Sequence, residues 1–300
     1  MWRELLHASR PVSWVNTAYP FGAAYLLTGG GPGLTFWVGA LFFLVPYNLA
    51  MYGINDVFDH ESDLRNPRKG GVEGGLVSAE RAAVVHPRIL WAAALSCLPF
   101  CLYLVIVGSW LSTAVLALSV FAVLAYSLPK LRFKERPGLD AVTSSTHFSS
   151  PAWFGVALSD GRLTDIGLAV LVGFFLWGCA AQAFGAVQDV LPDRQAGLKS
   201  VATALGARPT VRISTLTVLL AGLVLVGVGV IGGPGDGVHA HWPVVLAGLL
   251  AVPYAANSGR FWHVTDADSA RTHLGWRTFL WLNYAVGFLV TLLILWWALG

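Results

Sequence analysis

Asn55, Asp59 and Asp63 stand four residues apart at the end of an apolar run, and Asp189 and Asp193 repeat that spacing. Four-residue steps on a helix keep side chains on one slowly drifting face, so each set forms a row of oxygen ligands. Asp56, seven residues before Asp63, lies near the first row. Pro192 makes the second row less secure, because proline bends or ends a helix. Carboxylates brought together repel unless a cation lies between them. An all-oxygen set suits Mg2+, a hard octahedral ion usually shared with substrate phosphates. Nothing in the sequence gathers His and Cys at zinc-like spacing. Just beyond the acids stand Arg68, Lys69, Lys130, Arg132, Arg194 and Lys199, which suit the oxygens of a diphosphate. The plain alternative is that charges at the ends of apolar runs are solvated loop. One acidic cluster would not decide against it; two with the same spacing do.

The elements that must position these residues are apolar. Of 300 residues, 56% are hydrophobic and 12% charged, where a soluble domain carries about 25% charged. Runs of about 20 apolar residues recur, the length that crosses a bilayer core as a helix. Nine crossings are expected: 11–28, 34–54, 88–107, 109–128, 142–158, 165–188, 210–232, 242–257 and 276–299. The first is not a cleavable leader: it follows Arg10-Pro11, holds Trp14, Asn16 and Tyr19, and lacks a small-residue cleavage site. With the N-terminus inside, 18 of the 19 basic residues fall on inner segments and only Arg162 does not, as the positive-inside rule requires. The fold class is therefore all-α: a polytopic bundle of nine transmembrane helices in the cell membrane. Its N-terminus and a polar cap lie on the cytoplasmic side, and residues 1–300 form a single domain. Membrane lipid is the surrounding partner. Topology accounts for the basic residues, so nucleic acid is not implied. Cys97, Cys101 and Cys179 lie within crossings and are expected to be packed thiols.

Both acidic motifs close an outside-to-inside crossing and both feed a basic inner loop. They are expected to be two halves of one site facing each other at the inner surface. A cation-coupled transporter would also pair acids, but near the bilayer midplane and without phosphate-binding neighbours.

At this point the residues resemble a known family. Asn55-x3-Asp59-x3-Asp63 and Asp189-x3-Asp193 resemble the two aspartate-rich motifs of the UbiA superfamily of intramembrane prenyltransferases. Tyr126-Ser127-Leu128-Pro129-Lys130 resembles its Tyr-x3-Lys element. The run Asp193-Arg194-x2-Gly197-x-Lys199-Ser200 is similar to the segment after its second motif. The stretches "SRPVSWVNTAYPFGAAYLL", "PYNLAMYGINDVFDHESDLRNPRKGGVEG", "LRFKERPGLDAVTSSTHFSSPA" and "GAVQDV" are similar to the lycopene elongases of C50 carotenoid pathways. The resemblance implies Mg2+, two ions with the substrate diphosphate, held by Asn55, Asp59, Asp63, Asp189 and Asp193 with Asp56 beside them. It implies phosphate contacts from Lys130 and Arg132 and a place for Tyr126. The donor would be dimethylallyl diphosphate and the acceptor lycopene or another hydrophobic isoprenoid. An aromatic or quinone acceptor is the alternative within the superfamily. Whether a partner subunit is needed stays open.

Two further groups are singled out. Tyr52, Phe58, Tyr126, Trp177 and Phe184, near inner ends of crossings, can face an allylic cation or simply pack. The crossing at 142–158 begins "TSSTHFSSP", with hydroxyls that suit helix packing. His147 within it lies seven residues past Asp140, about 10 Å deeper along a helix at 1.5 Å per residue. There an imidazole can either tie helices together or steer how a tertiary cation is quenched.

Overall fold

The computed structural model describes residues 2–65, 77–232 and 240–299. Among the described residues every regular element is helical. In chain order these are α1 (Trp2–Ala8), α2 (Val15–Leu27), α3 (Leu34–Leu44), α4 (Pro46–Arg65), α5 (Ala79–Val107), α6 (Trp110–Ser127) and α7 (Leu139–Leu158). They continue with α8 (Asp165–Val187), α9 (Val190–Gln195), α10 (Val201–Leu205), α11 (Ala207–Ile231), α12 (Trp242–Leu249), α13 (Ala251–Gly259) and α14 (Thr272–Leu299). Six stretches are long and apolar enough to cross a membrane: Leu34–Glu61, Ala79–Val107, Trp110–Ser127, Asp165–Val187, Ala207–Ile231 and Asp266–Leu299. The other three expected crossings are helical but differ. α2 has only 13 residues, α7 is lined with Ser and Thr, and 242–257 is divided into α12 and α13.

The helix ends follow from local chemistry. Between α5 and α6 the chain turns on Gly108 and Ser109. Ser109 and Ser112 cap each other, with Ser109 N–H donating to Ser112 Oγ (2.8 Å) and Ser112 N–H to Ser109 Oγ (3.3 Å). Thr164 Oγ1 accepts from Gly167 N–H at the start of α8. α6 stops at Ser127 because Leu128 precedes Pro129 and takes an extended conformation (φ −60°, ψ 136°).

The chain divides into two compact units: residues 1–133 with 146–162, and 134–145 with 163–300. The first is built on rings. Phe21 lies 5.4 Å from Phe43 and 5.9 Å from Phe154, and Phe43 lies 5.1 Å from Tyr47. Aromatic pairs of this kind contribute about 0.5–1.5 kcal/mol each beyond area burial. Outward positions such as Trp91, Ile106 and Trp110 are largely exposed. That is the pattern of a surface that meets lipid rather than water. Asn48 is fully buried and donates to Thr17 Oγ1 and to the Phe43 and Leu44 carbonyls, an interhelical tie. Cys97 packs in the same unit with its thiol on the Pro46 carbonyl, 3.3 Å away.

In the second unit α11 is the centre, packed by α8, α12 and α13. Lipid offers helices no hydrophobic drive to associate, so close backbone approach matters. A Cβ on Gly222 would lie 2.6 Å from the Gly248 carbonyl oxygen, and one on Gly248 would lie 2.6 Å from that of Gly222. Gly222→Ala is therefore expected to force α11 and α12 apart at a cost of about 1–3 kcal/mol. Gly227, on the same helix, has nothing within 4 Å of a built Cβ. Gly227→Ala should leave the melting temperature in detergent unchanged or slightly raised. Equal melting temperatures for both variants would contradict this packing.

Candidate active site

The first acidic row rests on a single helix. α4 continues without a break from Pro46 to Arg65, so Asn55, Asp59 and Asp63 share one face. Two residues from the next polar segment meet that face. Ser127, the last residue of α6, donates to Asn55 Oδ1 at 3.1 Å. Arg132 approaches Asp59 Oδ1 at 3.5 Å and donates to the Phe58 carbonyl at 3.3 Å. Arg132 has a left-handed backbone (φ 40°), uncommon for a side-chain-bearing residue, and in this turn its guanidinium reaches the acidic row. Asp59 is 9% exposed, so the carboxylate sits where few waters compete for it. Tyr126 is half-buried one residue before Ser127, and Lys130 is exposed in the turn that follows.

Asp56 faces another partner. Arg10 donates to Asp56 Oδ1 at 2.7 Å, and its guanidinium lies 4.4 Å from the centroid of the Tyr52 ring, one helical turn before Asp56. Both charged groups are mostly buried, at 17% and 15% exposure. This pair ties the N-terminal segment to α4. A charge-assisted bond of this kind contributes about 1.5–3 kcal/mol. Asp56→Asn and Arg10→Gln are each expected to lower turnover about tenfold, and the double variant no further. A double variant that multiplies the two losses would show that Asp56 acts independently of Arg10.

The second motif has a different backbone. α8 ends at Val187, Asp189 adopts φ −102° and ψ 5°, and α9 begins at Val190. Pro192 clashes with the carbonyl one turn back, which is that of Gln188, so the break falls there. Inside the first turn of α9 the missing N–H of proline costs nothing. Asp193 N–H still donates to the Asp189 carbonyl at 2.9 Å, so one helical turn separates the two acids. Beside them, Gln188 Oε1 accepts from His273 Nδ1 at 2.7 Å, and the Gln188 amide N–H donates to the Gly185 carbonyl. Arg194 donates to the Thr203 carbonyl (2.9 Å from Nη2) and pairs with Asp266. The other oxygen of Asp266 accepts from Ala207 N–H at 2.6 Å, at the start of α11. Arg194 thus ties the segment after the motif to α11, while Lys199 is exposed. Asp140 is fully buried and accepts from Val201 N–H at 2.8 Å and Gly138 N–H at 2.7 Å. No feature of the sequence pointed to the Arg10, Asp266 or Asp140 contacts.

Arg68 and Lys69 lie outside the described residues. Among the described residues no three His, Cys, Asp or Glu side chains converge on one point. The donor set of the α4 row, one amide and two carboxylates, is all oxygen.

The aromatic candidates separate. Phe184 is buried beside Phe261, and Trp177 stacks on Phe279 at 5.5 Å; both pack the second unit. Tyr52 lies under Arg10. Tyr126 meets His147 edge-to-face with ring centroids 5.0 Å apart. The hydroxyls at the start of α7 pack as expected: Ser144 donates to Gln182 Oε1 and Ser145 to the Phe175 carbonyl on α8. His147 is 3% exposed, and its backbone carbonyl accepts from Tyr47 Oη at 3.2 Å.

Comparison with known proteins gives the wider frame. The model of the UbiA prenyltransferase family matches residues 17–283. A lycopene elongase/hydratase of Corynebacterium glutamicum is 50% identical over 98% of this chain and 96% of its own length. The C(50) β-cyclic carotenoids biosynthesis protein LbtBC of a Dietzia species is 51% identical over 97% of this chain, which spans 64% of that protein. The structure of a UbiA homolog from Archaeoglobus fulgidus bound to DMAPP and Mg2+ superimposes with a TM-score of 0.66. It is 17% identical, with 94% of this chain and 98% of that one covered.

Proposed function

The chain belongs to the UbiA prenyltransferase family, and we propose that it transfers dimethylallyl groups from dimethylallyl diphosphate to lycopene, with uptake of water. The observation that carries the acceptor is the near-full-length likeness to the Corynebacterium lycopene elongase/hydratase. The donor is supported by the fold it shares with the A. fulgidus homolog bound to DMAPP and by the oxygen-rich row on α4.

In this reading the chain crosses the cell membrane nine times with its N-terminus in the cytoplasm, and the chemistry takes place near that face. Asn55, Asp59 and Asp63 hold Mg2+ in the first motif, and Asp189 and Asp193 in the second. With two Mg2+ ions bound, these side chains would hold Lewis-acid charge against the departing diphosphate. Arg132 and Lys130 meet its outer oxygens, joined by Arg68, Lys69 and Lys199. Arg194 adds positive charge beside the second motif while it holds Asp266. Tyr126 presents an aromatic ring beside the allylic carbon, where a developing cation is stabilised by a π face. The terminal double bond of the acceptor then supplies the electron pair for the new C–C bond, leaving a tertiary cation. Asp56 supports α4 through Arg10.

The test is direct. Membranes containing the chain are incubated with Mg2+, dimethylallyl diphosphate and lycopene, and the carotenoids are weighed by mass spectrometry. Gains of one and then two five-carbon units are expected. Unchanged lycopene, with prenylation of a quinone precursor in a parallel reaction, would overturn the acceptor.

A further inference from the structure

A buried imidazole in the first unit has one nitrogen with nothing to bond. His147 is 3% exposed, and its Nε2 has no hydrogen-bond partner among the described residues. A neutral imidazole with its proton on Nδ1 keeps a lone pair on Nε2. An acceptor buried without a partner costs about 1–3 kcal/mol, and such groups in native proteins call for an ordered water or a catalytic reason.

The position of the ring supplies the reason. Tyr126 stands edge-to-face against it at 5.0 Å. The next residue, Ser127, donates to Asn55 Oδ1 of the acidic row. The ring neighbour of the imidazole is thus one residue along the chain from the contact with the acidic row. A prenyl group whose diphosphate lies on that row places its reacting carbons at this depth. Tyr47, 1% exposed, closes the region with its hydroxyl on the His147 carbonyl.

We propose that His147 Nε2 binds the water that quenches the tertiary cation and takes its proton. The inference rests on the prenyl transfer described above and adds the residue that ends it. The step balances. A lone pair of the water oxygen forms the C–O bond to the cationic carbon. One O–H bond breaks with its electron pair left on oxygen, and the proton moves to Nε2. Diphosphate has already departed, so no further leaving group is involved.

His147→Asn keeps an amide N–H where Nδ1–H stood but has no lone pair at the position of Nε2. His147→Phe removes both. The wild type and both variants are assayed in water enriched in oxygen-18. The readouts are the ratio of hydroxylated to dehydrated elongated carotenoid, Mg2+-dependent binding of an unreactive thio analogue of dimethylallyl diphosphate, and melting temperature. The expected result is labelled hydroxyl in the wild-type product and a fall of at least tenfold in the hydroxylated share in both variants. His147→Asn should keep wild-type analogue binding and melting temperature. An unchanged ratio in His147→Asn, or a proportional loss of all products with a lowered melting temperature, overturns the assignment. So does a wild type that elongates without adding labelled oxygen, and in that case prenyl transfer itself stands. A wild type that does not elongate lycopene fails at the earlier step, and the assignment falls with it.

Discussion

Asp59→Asn should leave a folded, inserted protein whose turnover falls by roughly a thousandfold or more, about 4 kcal/mol of barrier. Asp189→Asn should do the same. The amide keeps the shape of the side chain but not its anion, and a Lewis-acid site loses its hold on the metal when ligand charge is removed. Asp59 is the stronger test, because it is nearly buried and carries Arg132 beside it. Removing its charge also takes an anion from beside that guanidinium. Glu61 supplies the control. It lies on the same helix but is exposed, and Glu61→Gln should stay within about twofold of wild type, as surface substitutions usually do. Wild-type turnover in Asp59→Asn at saturating Mg2+ would remove the α4 row from the chemistry.

The second large effect concerns donor length. In competition among dimethylallyl, geranyl and geranylgeranyl diphosphates, the five-carbon donor is expected to win by about ten- to a hundredfold. The reason is local. Beyond Asn55 the first unit is filled by Tyr126, His147 and the buried Tyr47. Extra methylenes forced into a packed region cost about 1–3 kcal/mol. Tyr47→Ala should then relax the preference toward the ten-carbon donor. Preference of the wild type for the twenty-carbon donor together with an aromatic acceptor would point to the other branch of UbiA chemistry.

How much of this was legible in the sequence differs from residue to residue. The row on α4 was, because four-residue spacing needs only an unbroken helix, and Pro46–Arg65 is one. The break near the second motif was legible in kind but not in place: Pro192 acts on the carbonyl of Gln188, one turn back. Pro253 has the same relation to Leu249, where α12 ends, and this divides an expected crossing in two. Yet Pro87, Pro99 and Pro151 sit inside continuous helices, so proline alone does not predict a break. The membrane character was plain from composition, while the short α2 and the polar-lined α7 fell below what length and apolarity alone identify. The Arg10–Asp56 and Arg194–Asp266 pairs were not legible. Their partners lie 46 and 72 residues apart, and no periodicity links positions that only tertiary packing brings together. His147 was visible as a polar residue in an apolar run, but its orphaned nitrogen was not.

The central claim is that both acidic motifs hold a metal and its diphosphate. Equilibrium binding of the unreactive dimethylallyl thio-diphosphate to purified protein tests it most directly, with and without Mg2+, for wild type, Asp59→Asn and Asp189→Asn. The account predicts tight binding to wild type only with Mg2+, and at least about a hundredfold weaker binding in each single variant, or about 2.7 kcal/mol. Binding that survives chelation of Mg2+, or that one of the two substitutions leaves untouched, would contradict it.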